Sequence, residues 1–334
     1  MRRVFYLGVA LALLAAGGCG GTAAGTLQAD WRIVFSSNRD GDFEIYVMHA
    51  DGSGAVQLTQ NESDGRSEHD DVVPTWSPDG ARIAFVSTRD HEGDGFVDGE
   101  IYVMRANGSG QTRLTENAAG EGGPDWSPDG RWIAFSRTAA QTTAESPRFE
   151  LVRMEAEGSE PEKLIDDAWP YGPTALSPDG STAAFTRCAS EKGALDCEIW
   201  VAEVDGGEAR QLTDAPETST APVWSPDGTR IAFRSDRDRN GLCYFQDCTG
   251  YNGEIYLMDA DGSRQRRLTD DPGDDSSPTW SPDGTRIAFA ALRGVEGVLD
   301  LPSEDYEIYV MDADGGNVLQ ITDNTWWDWQ PDWR

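Results

Sequence analysis

Positive charge is scarce in this 334-residue chain, where 27 Lys and Arg stand against 59 Asp and Glu for a formal net charge of −32. A surface of that sign repels phosphate backbones and anionic lipid, which excludes nucleic-acid binding and any membrane association other than through a covalent lipid. Histidine is scarcer still: the chain has His49, His69 and His91. His49 ends a strand candidate, and the other two read as solvated loop residues among acids, with convergence on a transition metal as the competing reading. There is no Gly-x-Ser-x-Gly elbow, His-Glu-x-x-His helix or phosphate loop, and a non-catalytic protein is therefore expected. The apolar run Val4 to Ala16 falls short of the roughly 20 residues a spanning helix needs.

That short run follows Arg2 and Arg3 and precedes small residues, which composes a secretory signal peptide over residues 1–18. Ala16-Gly-Gly-Cys19 resembles a bacterial lipobox, with Ala where Leu is usual. Lipidation at Cys19 is expected, with residues 19–30 as a flexible tether; ordinary cleavage nearby is the alternative. The mature protein would be a periplasmic, outer-membrane or cell-surface lipoprotein. Cys188, Cys197, Cys243 and Cys248 are even in number and local in spacing, as suits disulfides in an oxidising compartment. Cys188 with Cys197 should bridge the mouth of a hairpin, and Cys243 with Cys248 should close a small loop. The crossed pairings stay open.

One phrase recurs: Trp76-Ser-Pro-Asp-Gly80, Trp126-Ser-Pro-Asp-Gly130, Leu176-Ser-Pro-Asp-Gly180, Trp224-Ser-Pro-Asp-Gly228 and Trp280-Ser-Pro-Asp-Gly284, at steps of 50, 50, 48 and 56 residues. Each unit holds four short strand candidates joined by turn residues. In the unit from Val72 to Thr115, Pro78 presets φ, Gly80 supplies a positive φ, and Ala106-Asn-Gly-Ser-Gly110 makes a second hairpin. Runs such as Ile83-Ala-Phe85 and Ile231-Ala-Phe233 are apolar without alternation, as in strands covered on both faces. A radially repeated four-stranded sheet is a β-propeller. The first unit begins in mid-phrase at Arg32-Ile-Val-Phe-Ser36, and Gln330-Pro-Asp-Trp-Arg334 supplies the missing entry strand. The expectation is an all-β, six-bladed propeller over residues 31–334, closed by the C-terminal strand completing blade one.

These phrases, with Arg-Ile-Ala-Phe, Glu-Ile-Tyr-Val-Met and Asp-Ala-Asp-Gly, resemble the WD40-like, or PD40, repeats of TolB-type propellers from about Trp31 to Arg334. The resemblance implies an envelope protein with a protein partner. About a dozen residues separate Cys19 from the first blade, so the α/β domain ahead of the propeller in TolB is expected to be absent. Similar propellers precede the catalytic domain of prolyl oligopeptidase-like peptidases, and no hydrolase domain is expected after Arg334.

Loop variation is one-sided. Turns between the first and second strands, and between the third and fourth, are monotonous; those between the second and third, and the links between blades, vary widely. Variation gathered on one face marks it as the binding face. Two of its loops carry oxygen side chains at alternate positions with Gly at the sixth, as in a calcium loop: Asp90, Glu92, Asp94 and Asp98, then Asp236, Asp238 and Asn240 with Asp247 at the twelfth. Ca²⁺ is the expected ion there, against the reading that Arg-Asp-Gly is an ordinary turn, as at Arg39-Asp-Gly41. Trp169, Tyr171, Trp326, Trp327 and Trp329 lie on links opening to the same face. They are candidates for stacking on sugar or anchoring a partner, or else they pack between blades. The leading expectation is a monomeric scaffold for an envelope or extracellular protein; the alternative is a metal-containing carbohydrate-binding or carbohydrate-processing propeller.

Overall fold

The computed structural model describes residues 32–61, 69–90, 99–117, 119–139, 149–159, 161–166, 174–191, 194–215, 217–238, 252–271, 273–292 and 305–334. Among them there is no helix. The strands form six separate four-stranded antiparallel sheets. Blade one takes its inner strand, Asp328–Trp333, from the C-terminus and continues with Arg32–Ser37, Glu44–His49 and Val56–Gln57. Blade two runs inside to outside as Asp71–Trp76, Arg82–Ser87, Glu100–Arg105 and Thr112–Arg113. Blades three to six follow at the spacing of the repeat, and the ring closes where the sequence pattern predicts. Arg32 and Arg334 exchange backbone hydrogen bonds of 2.5 and 2.8 Å across that closure.

Each second strand is buried on both faces because neighbouring blades sandwich it. Phe35, Phe85, Phe135, Phe233 and Phe289 have no exposed surface, and Phe185 has 2%. The apolar clusters accordingly lie between blades; one joins Val34 and Val47 of blade one to Trp76, Phe85 and Tyr102 of blade two. Such burial supplies the main stabilisation, at about 3–5 kcal/mol per core aromatic lost to Ala.

In five of the blades a recurring Thr just after the outer strand joins it to the third strand. Ile45 N donates to Thr59 Oγ1, Ile101 N to Thr115 Oγ1 and Ile255 N to Thr269 Oγ1, each at 2.9 Å. Thr59 and Thr269 pass their own proton to the Glu that starts the third strand, Glu44 and Glu254, at 2.5 and 2.6 Å.

The inner strands bulge at the residue before their proline. Val73, Ala221, Ser277 and Gln330 sit at φ of 50 to 53° and Gly123 at 60°, with a register shift at each of these places. Left-handed backbone is costly for a side chain with a Cβ, by about 1–3 kcal/mol. The bulge turns a backbone donor toward the preceding blade: Val73 N reaches Gln330 Oε1 at 3.0 Å and Ser36 Oγ at 3.2 Å.

Cys188 and Cys197 are disulfide-bonded. They stand directly opposite each other in register, and their strands continue past them, as Thr182–Glu191 and Ala194–Glu203. The bond therefore clamps the body of a long hairpin, where the sequence reading put it at the hairpin's mouth. Cys19, Cys243 and Cys248 lie outside the described residues.

Candidate functional site at the variable face

The Ser-Pro-Asp-Gly turns satisfy themselves. In blade two Ser77 Oγ donates to Asp79 Oδ1 at 2.7 Å, which also accepts from Ala81 N at 3.0 Å, while Arg82 N donates back to Ser77 Oγ at 2.9 Å. The geometry recurs at Asp129, Asp179, Asp227 and Asp283. These bonds favour the ionised carboxylate and hold the Asp179 and Asp227 carboxyls down at about 2.

The opposite face is built across blade seams. In blades one, two, five and six the third strand opens with a buried Glu, and Glu44, Glu100 and Glu307 lie beside Asp71, Glu121 and Asp328, each the first residue of the next blade's inner strand. At the first seam Glu44 and Asp71 are both fully buried. Burial, with Asp71 beside it, pushes Glu44 up to about 8, against the easing bonds from Thr59 and Asn61. Burial thus favours the protonated form of Glu44, and one oxygen of its neighbour Asp71 has no hydrogen-bond partner among the described residues. Arg89 pairs with the other oxygen of Asp71 while stacking 5.1 Å from the Tyr102 ring centroid. At the closing seam Arg39 spans both oxygens of the fully buried Asp328 at 2.8 and 3.0 Å, and lies 4.4 Å over Tyr46. Asn324 joins this seam, donating from N to Glu307 Oε1 at 2.6 Å and from Nδ2 to Asp328 Oδ2 at 2.7 Å. Glu121 and Glu307 are each pushed up to about 7, chiefly by burial.

Three of the eight expected calcium ligands are described, and each has protein partners. Tyr102 donates its hydroxyl to Asp90, with Arg113 at 3.6 Å. Tyr256 donates to Asp238, which also pairs with Arg267 at 3.0 Å. Asp236 pairs with Arg234 at 2.6 Å and accepts from Thr218 Oγ1 at 2.9 Å. Glu92, Asp94, Asp98, Asn240 and Asp247 lie outside the described residues.

An acidic group with the spacing a metal would need lies elsewhere, on the Arg39-Asp-Gly41 turn read as ordinary. Asp40, Asp42 and Glu44 each bring an oxygen within 4.8 Å of the others. Asp42 Oδ2 is buried with no hydrogen-bond partner among the described residues, and burial together with Asp40 raises its carboxyl. Hard oxygen donors of this kind fit Ca²⁺, Mg²⁺ or Mn²⁺ in chemistry. The sequence signal was present as acids at alternate positions; what hid it was the shortness of the turn.

Phe43 links these acids to the aromatic candidates. Its backbone N donates to Asp70 Oδ1 at 2.9 Å, and its ring meets Trp327 edge-on at 6.3 Å. Trp327 also meets Tyr306 at 5.5 Å, and Trp329 stacks on Tyr306 at 5.8 Å while donating to Ser276 Oγ at 3.2 Å. Both are half-buried packing residues. Trp326 differs, with 44% of its surface exposed. Trp169 and Tyr171 lie outside the described residues.

A second feature, absent from the sequence reading, lies on the axis toward the Ser-Pro-Asp-Gly face. A cavity of about 280 Å³ is lined by the tryptophans of the repeat and by the residue before each: Thr75, Asp125, Ala175, Val223, Thr279 and Asp332. Asp125 is pushed up to about 7 by burial, despite a 2.7 Å bond from Leu176 N. Asp332 is raised by burial as well. The signal was the variable middle residue of Pro-x-Trp, which points inward only once the ring has closed.

The closed ring of six four-stranded sheets makes the chain a six-bladed β-propeller, similar in fold and in repeat to TolB proteins. No family model matches it. A TolB homolog of Chlorobium luteolum is 35% identical over 126 residues, 29% of this chain and 29% of that protein. The crystal structure of TolB from Acinetobacter baumannii matches with TM-score 0.68 and 19% identity, covering 91% of this chain and 67% of that one. An oligogalacturonate lyase in complex with manganese matches with TM-score 0.54 and 17% identity, covering 86% and 73%. The chain spans 14 to 39% of the length of the first curated relatives it matches.

Proposed function

We propose that this chain is an exported, lipid-anchored, non-catalytic propeller that serves as a protein-interaction scaffold in the cell envelope, engaging its partner through the variable face. The observation that carries the reading is Trp326, exposed beside the Phe43, Trp327, Tyr306 and Trp329 cluster. A rigid aromatic footing with one protruding indole is a common anchor in protein interfaces. The likeness to TolB proteins supports the same class of role. Crosslinking in cells with a photoreactive residue in place of the exposed Asp323 should trap one envelope protein, and adding Trp326→Ala should lower its recovery at least tenfold. Unchanged recovery would overturn the assignment. Mass spectrometry of the membrane-extracted protein should find a diacylglyceryl-modified Cys19; an unmodified mature terminus would refute the anchor.

A second reading rests on the convergent oxygens of Asp40, Asp42 and Glu44 and on the manganese-bound lyase of similar fold. In it the propeller binds a divalent ion and carbohydrate at the same face. Calorimetry with Ca²⁺ and Mn²⁺ on the stripped protein should show a heat that Asp42→Asn abolishes, and silence at millimolar metal would dismiss it.

A further inference from the structure

The outer edges of the blades are not alike. Their most exposed ladder position is Thr112 in blade two, Glu162 in blade three, Arg210 in blade four and Arg266 in blade five. In blades one and six it is Val56 and Leu319, exposed by 55 and 56%, and the neighbouring Val318 is 41% exposed. An uncovered strand edge offers unpaired backbone groups, and charged side chains are the usual guard against pairing with another chain. Blades three, four and five carry a charged residue there and blade two a polar one; the position is apolar in the two neighbouring blades that meet at ring closure.

The arginines of blades four and five have a second task. Arg210 Nη1 donates to the Asp261 carbonyl of the next blade at 2.9 Å, and Arg266 Nη1 to that of Asp314 at 3.1 Å. At the closing seam Leu319 can donate nothing. Gly52 of blade one still packs against the Ile321 carbonyl, where a Cβ would lie 2.0 Å from the oxygen, as Gly315 packs on the Leu268 carbonyl one seam earlier. Val318 and Leu319 are consecutive, so their side chains leave the edge strand on opposite sides.

The geometry points to the edge of blade six, centred on Leu319, as a docking strand for an extended segment of a partner protein that alternates apolar and cationic residues. Apolar side chains on one face of that segment would cover Leu319 while backbone groups extend the sheet. The cationic requirement comes from charge complementarity: Asp312, Asp314 and Asp323 belong to the same hairpin and its exit, and the chain as a whole carries −32. That same charge disfavours a second copy of this chain as the occupant.

The test uses a fluorescein-labelled ten-residue peptide alternating Lys and Val, with Lys/Ser and Glu/Val peptides as controls, read by anisotropy against the full mature chain. The Lys/Val peptide should bind, and both controls should bind at least tenfold more weakly. Leu319→Arg, which installs the residue of blade five, should weaken binding at least tenfold. Val318→Thr with Leu319→Thr, in the manner of blade two, should do the same while keeping the thermal midpoint. Thr112→Arg on blade two should leave binding unchanged. Equal binding of the Lys/Ser peptide, equal binding by Leu319→Arg, or a concentration-dependent dimer in sedimentation that Leu319→Arg dissolves would each overturn the proposal.

Discussion

The two faces of this propeller solve the same problem in opposite ways. On the Ser-Pro-Asp-Gly face each turn closes its hydrogen bonds within five residues, as between Ser77, Asp79 and Arg82. On the variable face, groups find partners far along the chain or across a seam: Asp328 is met by Arg39, 289 residues away on the same blade, and Glu121 by Asn117 of the blade before. The first arrangement is modular, and its turns can be copied from blade to blade. The second makes the ring cooperative and leaves carboxyls buried, with their proton affinity raised.

Breaking one contact on each face should expose the contrast. Asp328→Ala strands the Arg39 guanidinium in a half-buried seam and should cost about 3–5 kcal/mol in chemical denaturation. Asp227→Ala removes turn bonds that water can partly replace and should cost about 1 kcal/mol. Similar losses on the two faces would refute the modular-versus-cooperative distinction.

Replacing Cys188 and Cys197 with Ser should cost about 2–3 kcal/mol, the entropy of a short closed loop in the unfolded chain. Since the pair clamps the blade-four hairpin, hydrogen exchange should rise there first.

The turn aspartates of one face and the seam glutamates of the other should also respond to pH with opposite signs. Glu44, Glu121 and Glu307 on the variable face have folded affinities raised to about 8, 7 and 7. The unfolded chain releases those protons from about pH 4.5 upward while the folded chain retains them, so their contribution falls as pH rises from about 4.5 to 8. Asp179 and Asp227 on the other face are lowered to about 2. Their stabilisation is present above about pH 4 and is lost as pH falls through 2. The thermal midpoint should peak between these windows, near pH 4.5, and decline by several degrees toward pH 8. Glu44→Gln should flatten the alkaline decline without shifting the acid limb.

The smallest effect tests the strained bulges shared by both halves of the ring. Ser277 sits at φ 50°, where blade three has Gly123, and Ser277→Gly should stabilise by up to about 1 kcal/mol. A loss of stability would mean that the Ser side chain matters more than the backbone strain.

Much of this was legible in one dimension. Pro78 and Gly80 fix a turn by their own φ preferences, the Phe of Arg-Ile-Ala-Phe is buried because blades cover both sides of it, and the partial first repeat demanded a closing strand. The acids resisted such reading because carboxylates are plentiful: Asp90 and Asp238 look like calcium ligands in sequence and are held by Tyr and Arg in space. Asp40 and Asp42, in a turn too brief to resemble a loop motif, are the ones that converge with Glu44.

The sequence by itself determined the blades, their number and their closure, because turn chemistry and strand burial act over a few residues and repeat. Which acids meet, which edge lacks its arginine and which residues face the axis were decided only by tertiary structure. Those properties depend on groups from different blades, and proximity between blades is set by the ring as a whole.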